Sequence, residues 1–523
     1  MLLILVMGLI FFITLYYFYQ TNKYKIIDDY PGPTPLELLK FVLLPKSTVD
    51  SYKFFVSLNN KYGPVVKIWI KPFKPTLLVS DEKFIKHILL SKEHVNKASL
   101  FELLEAFIGN GLPIMSDNIE VKKFFLVNLW RQERKTISHV FNNQFNIDYI
   151  STIKTHAIKL RDAINENLNQ PVDLQMLLLR HGLNIVYGKK YNKYLCIKKI
   201  FFLEILLNED ISNQDDRVNR YSTALKTFFE VYFDRINSPL KMNDNIFKLT
   251  NNYKIWNKCS EEATEFIEST LKTVVELKKK SPNESFRKDF IDLLLESGLS
   301  YDRILAHLRT FVVAVIIYSC YIILVFNYVL KGSDTVSAAT GFALYELAKQ
   351  PELQEKIFQE YISIVGFDEK VFAEFRDIQQ MSFADCVMKE SLRLYPPVPF
   401  IFRTLIKPAE IDDKVLPGDI DVTFSIIGSH YLNFEDPTKF KPERFLPENS
   451  TKIPANAYLP FSLGPRDCIG KIVAVAEVKF LISYIVRHFT LHPINDHKAD
   501  IAGEVVLTSK NGLPVIFKKR IIE

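Results

Sequence analysis

The feature that most constrains this chain is a ten-residue segment near its C-terminus, Phe461-Ser-Leu-Gly-Pro-Arg-Asp-Cys-Ile-Gly470. It places Cys468 between two glycines and close to an aromatic and a basic side chain. A deprotonated cysteine binds metal, and glycines let the backbone come close to a bound group. A structural zinc site takes about four Cys or His ligands, and the absence of any C-x-x-C pair disfavours one. A buried structural cysteine is the alternative for any single cysteine.

The spacing F-x-x-G-x-R-x-C-x-G resembles the haem-binding loop of the cytochrome P450 family. The resemblance implies that Cys468 is the axial thiolate ligand of a haem b iron, and such a ligand favours cleavage of the O–O bond. It also implies that Phe461 shields the sulfur and that Arg466 binds a haem propionate. Five matching positions together make the structural-cysteine alternative weak.

The two glycines of this loop have separate expected roles. Gly464 is expected to adopt a positive φ, which a residue with a side chain adopts only with strain. Gly470 would let the helix predicted over residues 471–488 approach the macrocycle. The N-terminus of that helix would partly offset the thiolate charge.

Two other segments resemble haem-propionate ligands of the same family. Trp130 and Arg134 are four residues apart in Leu129-Trp-Arg-Gln-Glu-Arg-Lys135, so a helix would place both on one face. Without the haem loop, an amphipathic basic helix explains this segment equally well. Arg403 lies where the family has another propionate ligand, and a guanidinium can bind a carboxylate through two hydrogen bonds.

A structural network is predicted from Glu390, Arg393 and Arg444. The E-x-x-R spacing puts Glu390 and Arg393 on one helical face, although most such pairs are solvated ion pairs. The segment 440–445, Phe-Lys-Pro-Glu-Arg-Phe, follows about fifty residues later. In the resemblance, Arg444 completes a buried Glu–Arg–Arg network that supports the haem loop, because a buried carboxylate needs such partners.

Gly332-Ser-Asp-Thr-Val-Ser337 resembles the oxygen-activation motif in the long distal helix of the family. The resemblance implies that Thr335 helps to deliver protons during oxygen activation and that Asp334 routes them from solvent. The alternative is an N-terminal cap for a helix that begins near Ser337, a common use of Ser and Asp.

The distal segment departs from the family pattern at residues 315–331. Removing them joins Thr310-Phe-Val-Val-Ala314 to Gly332 and restores an unbroken motif. As added helix they would move Thr335 by about 25 Å and rotate it by about 100°. We favour a translated intron over a second membrane span or an expelled bulge, because Val codons begin with GT and a Lys codon can end in AG.

Two other segments also look out of place. Residues 118–127 move Trp130 further from Gly111 than the family pattern predicts, and residues 187–202 interrupt a helical pattern with lysines and tyrosines. Both are weaker cases, because loops vary in length.

The N-terminus is expected to anchor the chain in a membrane. Residues 1–22 carry no charge, and the apolar run 2–19 has about the length that spans a bilayer. A cleaved signal peptide is disfavoured because the basic n-region and small-residue cleavage site are missing. The basic, proline-rich residues 23–36 form a predicted hinge, and 37–523 form the predicted haem-thiolate domain. Lys23 and Lys25, on the C-terminal side of the apolar run, predict that this domain is cytosolic. An anchor followed by a proline-rich hinge resembles the microsomal members of the family, which implies a single pass in the endoplasmic reticulum membrane.

Composition supports a large hydrophobic core. Hydrophobic residues make up 48% of the 523 residues, and the net charge of +6 is modest, with no nucleic-acid-binding tract. The five cysteines, Cys196, Cys259, Cys320, Cys386 and Cys468, are scattered and odd in number, which favours a reducing compartment over a disulfide framework.

The resemblance implies a mainly α-helical fold with a small β-rich subdomain. Residues 66–70 and 75–80 read as strands, and helical periodicity covers 133–168, 253–280 and 337–364. Residues 397–417 read as strands. Residues 505–517 read as a terminal hairpin, with Lys510-Asn-Gly512 as its turn.

The implied activity is monooxygenation of a hydrophobic small molecule. NADPH–cytochrome P450 reductase would supply the electrons, with cytochrome b5 as a second donor. The run Lys389-ESLRLYPPVP-Phe400 is most similar to the animal clan that contains fatty-acid ω-hydroxylases and many insect enzymes. The alternative is a membrane-anchored haem-binding protein that residues 315–331 have inactivated.

Overall fold

A computed structural model of the protein describes most of the chain. The described residues are 22–34, 36–38, 47–71, 74–112, 115, 123–138, 153–154, 157–178, 215–236, 241, 243–280, 294–310, 335–503 and 506–521.

Helices account for most of the described structure. In chain order, the α-helices are α1 (Thr48–Tyr62), α2 (Glu82–Leu89), α3 (Glu105–Ile108), α4 (Lys123–Ser138), α5 (Asp215–Ile236), α6 (Asp244–Lys248), α7 (Asn251–Lys280), α8 (Thr335–Ala348), α9 (Pro351–Val365), α10 (Phe375–Gln380), α11 (Ser382–Leu394), α12 (Ile426–Asn433), α13 (Pro447–Ser450) and α14 (Lys471–His488). Residues 157–165, 174–178 and 301–310 are also helical.

The strands are short. They are β1 (Val65–Lys71), β2 (Lys74–Val79), β3 (Pro171–Asp173), β4 (Phe400–Thr404), β5 (Ala409–Ile411), β6 (Lys414–Leu416), β7 (Asp421–Ser425), β8 (Phe489–Pro493), β9 (Ile501–Gly503), β10 (Leu507–Ser509) and β11 (Pro514–Lys519). A mainly helical fold with a small β-rich part was predicted and is confirmed.

The chain divides into two compact units. The first contains the described residues of Met1–Leu100, Pro399–Pro437 and Ile453–Asp467. Its sheet has the strand order β1-β2-β7-β4, with β2 and β7 parallel and the other two pairings antiparallel. β5 and β6 form a separate antiparallel pair. This unit is therefore the β-rich part of the fold.

The apolar faces of these strands form the core of the first unit. Leu77, Val79, Val422 and Phe424 are each fully buried there, as expected for β-branched and large apolar residues on the covered face of a sheet. Ile27 and neighbouring Tyr24 belong to the same core. The predicted hinge thus contributes side chains to the folded unit, around a 3₁₀ turn over Lys25–Asp29.

The second unit is mainly helical and contains the described residues of Phe101–Val398, Thr438–Lys452 and Cys468–Glu523. Helix α8 lies at its centre: residues 338–348 are all buried, and α8 packs on both α11 and α14. A helix that is apolar on every side is typical of a buried central position. Helices α5 and α7 pack against each other through aromatic rings, among them Phe228 and Trp256, whose centroids are 4.1 Å apart.

The helical periodicity predicted over 337–364 is confirmed for 337–348 and 351–364, which belong to α8 and α9. The prediction is wrong at 349–350, because Pro351 has no N–H to continue the helical hydrogen bonds and holds Gln350 outside the helical region. The helix predicted over 133–168 is confirmed for 133–138 and 157–165, and residues 139–152 lie outside the description. The predicted helix 253–280 is confirmed as part of α7.

The predicted terminal hairpin is also wrong. β10 pairs with β9, whereas β11 pairs with β3 and β8, so the turn at Lys510–Gly512 joins two sheets. The Asn511 side chain explains the difference, because it accepts from the Asp500 amide at 2.8 Å and donates to the Lys498 carbonyl at 2.8 Å. These bonds hold the turn beside β9. The strands predicted over 66–70, 75–80 and 397–417 are present as β1, β2 and β4–β6.

Several predictions fall on residues that the structure does not describe. They are the anchor up to residue 21, the distal segment 311–334 with Asp334, and the segment 187–202. Of the segment 118–127, residues 123–127 belong to α4. Across the described part of the chain, no helix is both long enough and apolar enough to cross a membrane.

The position of α8 gives a stability prediction. Phe342 is fully buried, and its ring stacks on Tyr395 with the centroids 4.4 Å apart. Phe342→Ala should lower the free energy of unfolding by about 3–5 kcal/mol, because the lost contacts leave a cavity. The measurement is urea unfolding. Leu249→Ala, at an 88% exposed position, serves as control and should change it by less than about 0.5 kcal/mol.

Candidate active site

The thiol of Cys468 lies at the start of α14. Cys468 is exposed, and its carbonyl accepts from the Lys471 amide at 3.4 Å in the turn that leads into the helix. A Cβ added at Gly470 would meet no atom within 4 Å, so the described protein leaves open space there. An accessible sulfur at a helix N-terminus is suited to the thiolate form.

Gly464 is required by both backbone angle and space. Its φ is +73°, which confirms the predicted positive value, and an added Cβ would lie 2.0 Å from the Leu89 carbonyl oxygen at the end of α2. No side chain fits that gap. The contact sets the path of the chain two residues before Arg466, which is buried in the 3₁₀ turn Gly464–Arg466. Phe461, earlier in the same loop, is half-buried.

Arg403 is a buried cation in β4. It is 1% exposed, and its Nη1 donates to the Phe402 carbonyl at 2.9 Å. Among the described residues its Nη2 has no hydrogen-bond acceptor. Burial lowers the pKa of Arg403 to about 10. A buried guanidinium without an anion is costly, so this position suits a carboxylate that the described residues do not supply.

Trp130 and Arg134 both lie on α4. Trp130 is 2% exposed and its indole N–H donates to the Leu112 carbonyl at 3.3 Å, whereas Arg134 is half-buried. The indole donor assigned to a propionate from the sequence is therefore engaged by the backbone. A propionate would have to share this bond or replace it.

Glu390, Arg393 and Arg444 lie together in the second unit. The Glu390 carboxylate, fully buried, accepts from Arg393 Nε at 2.7 Å and Nη2 at 2.8 Å. It also accepts from Arg444 Nε at 3.2 Å and from the Lys441 amide at 2.8 Å. The three-residue spacing on α11 makes the first pair, and the segment at 441–444 supplies the other two donors. The four hydrogen bonds compensate the carboxylate for loss of water.

Thr335 is half-buried at the first described residue of α8. Its predicted partner Asp334 lies outside the described residues. Its role in proton delivery stays a prediction.

A second buried carboxylate was missed by the sequence reasoning. Glu133, between Trp130 and Arg134 on α4, is 1% exposed and is bonded by Arg303 Nε and Nη2, each at 2.6 Å. His307 Nε2 lies 3.0 Å from the same carboxylate. The only available signal was its position inside the Trp130–Arg134 motif, because nothing in the sequence near 303–307 indicates a partner.

Two separate features each suit a part of a haem group. Arg403 is a buried cation that suits a carboxylate such as a propionate. Cys468 has an exposed thiol with open space beside Gly470, which suits an iron ligand. These are features expected of the class of haem-thiolate proteins.

The chain matches the family model for cytochrome P450 over residues 30–515, and it belongs to that family. It is 26% identical over 532 residues to cytochrome P450 4c21 of Blattella germanica, which covers 97% of each chain. It is 28% identical over 489 residues to cytochrome P450 4Z1 of Homo sapiens, which covers 90% of this chain and 87% of that protein. The chain is thus a cytochrome P450 monooxygenase that uses haem with a thiolate ligand. The predicted family and its animal affinity are confirmed.

The Glu390 network gives a second prediction. Glu390→Ala would leave Arg393, 1% exposed, without its buried counter-charge. The free energy of unfolding should fall by about 3–5 kcal/mol, as for other broken buried pairs, measured by denaturant titration. Lys389→Ala on the same helix breaks a partly exposed pair with Asp385 and should cost less than about 1 kcal/mol. Equal losses of unfolding free energy in the two variants would show that the Glu390 network does not stabilise the fold more than a surface ion pair does.

Proposed function

We propose that this protein is a membrane-anchored monooxygenase of the endoplasmic reticulum that hydroxylates a hydrophobic small molecule. The observation that carries the proposal is the exposed Cys468 thiol at the N-terminus of α14, in a chain of this family. Family members in general work with redox partners and on hydrophobic substrates. The particular partners proposed are NADPH–cytochrome P450 reductase and, as a second donor, cytochrome b5.

The overall reaction takes one O2, one NADPH and one proton for each substrate. One oxygen atom enters a C–H bond, the other leaves as water, and NADPH is oxidised to NADP⁺. Haem, when bound, supplies the oxygen activation. The chain binds the haem, excludes water and moves protons.

Four side chains are proposed to bind the haem propionates. Arg403 and Arg466 are buried, and a propionate at Arg403 would supply its missing acceptor. Trp130 and Arg134 share a face of α4. Phe461 is proposed to shield the Cys468 sulfur from solvent.

Glu390, Arg393 and Arg444 act on this site through the backbone. Their network binds the carbonyl of Lys439 and the amide of Lys441, on the segment that precedes the haem loop in the chain. We assign all three residues a structural role.

Proton delivery is assigned to the Thr335 hydroxyl, with Asp334 as the acidic neighbour that receives protons from solvent. A hydroxyl both donates and accepts, so it can pass a proton on without holding a charge. Thr335 is half-buried as the first described residue of the buried helix α8, which supports this role.

The first test concerns the metal ligand. The reduced protein with carbon monoxide should show the red-shifted Soret band of a thiolate-ligated haem, and Cys468→Ala should abolish it, because the variant has no thiolate to bind the iron. Cys386→Ala, a buried cysteine elsewhere in the same unit, is the control and should keep the band. A band that persists unchanged in Cys468→Ala would exclude this cysteine as the ligand.

The second test concerns residues 315–331. Their deletion should raise haem content, thermal stability and turnover, because it restores a small residue, Ala314, before Gly332 and the helical register that leads to Thr335. Haem is measured by pyridine haemochrome and turnover by NADPH-dependent product formation.

The deleted protein also allows a test of Thr335. On that background Thr335→Ala should uncouple NADPH oxidation from product and release peroxide, and the neighbouring substitution Val336→Ala should not. Equal turnover by the full-length and deleted proteins would show that residues 315–331 are a working part of the enzyme.

A further inference from the structure

The carboxylate of Glu133 joins α4 to the helix of residues 301–310. Its two oxygens bind Arg303 in a fork, with both contacts at 2.6 Å, and one oxygen lies 3.0 Å from His307 Nε2. Burial alone would raise the pKa of Glu133, but the hydrogen bonds from His307 and Arg303 outweigh it and lower the pKa. The carboxylate is thus held as an anion.

The other ring nitrogen of His307 accepts a hydrogen bond from the backbone. His307 is fully buried, and its Nδ1 accepts from the Leu112 amide at 3.2 Å. A nitrogen that accepts cannot carry a proton, so the proton of the neutral ring is on Nε2 and points toward Glu133. Nε2 has no hydrogen-bond partner of acceptable geometry among the described residues, so its 3.0 Å contact with the Glu133 carboxylate is electrostatic. The negative charge of Glu133 at this distance favours the tautomer with the proton on Nε2, which leaves Nδ1 free to accept from Leu112.

Leu112 closes a ring of contacts. Its amide donates to His307, and its carbonyl accepts from the Trp130 indole at 3.3 Å. Trp130 lies on α4, three residues before Glu133. The ring therefore runs from Glu133 through His307 and Leu112 to Trp130 and returns along one turn of α4.

The segment before Leu112 fits tightly on the same helix. Arg309 donates to the carbonyls of Ala106 at 2.9 Å and Phe107 at 2.8 Å. At Gly111 an added Cβ would lie 2.0 Å from Thr310 Oγ1. Leu112 consequently has little freedom to follow a displaced Trp130, so the ring of contacts is rigid.

We propose that Glu133 and His307 are positioning residues for haem binding, which act through Leu112 to hold the ring of Trp130 in place. The single indole N–H would then be shared between the Leu112 carbonyl and a haem propionate. The inference rests on the proposed function of Trp130. The two ring nitrogens of His307 then have different roles. Nδ1 accepts from the Leu112 amide and so positions the Trp130 indole, whereas Nε2 faces Glu133 and has no direct effect on the indole.

Two substitutions at His307 separate these roles. The amide oxygen of Asn reaches the place of Nδ1, whereas the amide of Gln reaches the place of Nε2. His307→Asn can keep the bond to Leu112 and loses Glu133, and His307→Gln keeps Glu133 and loses Leu112. A merely structural ion-pair role would favour the Gln variant.

The measurement is the first-order rate at which haem leaves the full-length protein, in phospholipid vesicles, for excess apomyoglobin. His307→Gln should lose haem about tenfold faster than the wild type, the effect of one lost hydrogen bond. His307→Asn should stay within about twofold. Glu133→Gln, which keeps the side-chain shape, should lose haem several-fold faster. All three should keep the carbon monoxide band of the thiolate-bound form.

Arg235→Gln is the matched control. Arg235 is a buried cation of the same unit, paired with Asp244 and stacked on Phe247, and it lies outside the ring. The variant should melt at a lower temperature and release haem at the wild-type rate.

Haem loss from His307→Gln that is no faster than from His307→Asn would overturn the inference, as would a wild-type rate in Glu133→Gln. If the His307 variants fail to fold, Glu133→Gln decides. A wild-type protein without the thiolate band would instead contradict the proposed function, so the two failures are distinguishable.

Discussion

The buried carboxylate of Glu390 is the interaction on which the helical unit most depends. It accepts four hydrogen bonds, two from Arg393 in its own helix and two from the segment at 441–444. Removal of any donor leaves a charge in a place that water does not reach, and that penalty exceeds the value of the bond itself. α11 and this segment are therefore held in one relative position, and Cys468 follows the segment along the chain.

Glu133 obeys the same physics with a different result. Each carboxylate is buried, binds an arginine in a fork and gains a second polar partner. At Glu390 the partners are two cations and a main-chain amide, so the network is a fixed joint. At Glu133 one partner is an imidazole whose second nitrogen is used elsewhere. The buried charge of Glu133 thereby influences, through His307, the position of the Leu112 amide and of the Trp130 indole that donates to the Leu112 carbonyl.

The sequence predicted those parts of the fold and site that local residues determine. The bounds 471–488 of α14 and the positive φ of Gly464 follow from neighbouring residues. The sequence did not predict that β10 pairs with β9 while β11 pairs with β3 and β8. This arrangement depends on hydrogen bonds of the Asn511 side chain with residues about a dozen positions away. The contacts of Glu133 with Arg303 and His307 were missed because about 170 residues separate the partners. No motif near Glu133 or near 303–307 indicates that they meet. Pro351 could have been read correctly, since it breaks the ladder locally.

Tyr24 and Ile27 have a mechanical consequence for the membrane anchor proposed above. Both are buried in the core of the first unit, and the Tyr24 hydroxyl and the Lys23 ammonium bind Asp419. With the proposed anchor ending at residue 22, no flexible linker would separate it from the first unit, because residues 23 and 24 already contact that unit. The turn that carries Asp419 would be held against the lipid headgroups, and the first unit could tilt but not swing freely. In the proposed membrane-anchored enzyme, a short connection of this kind would keep one fixed side of that unit toward the bilayer.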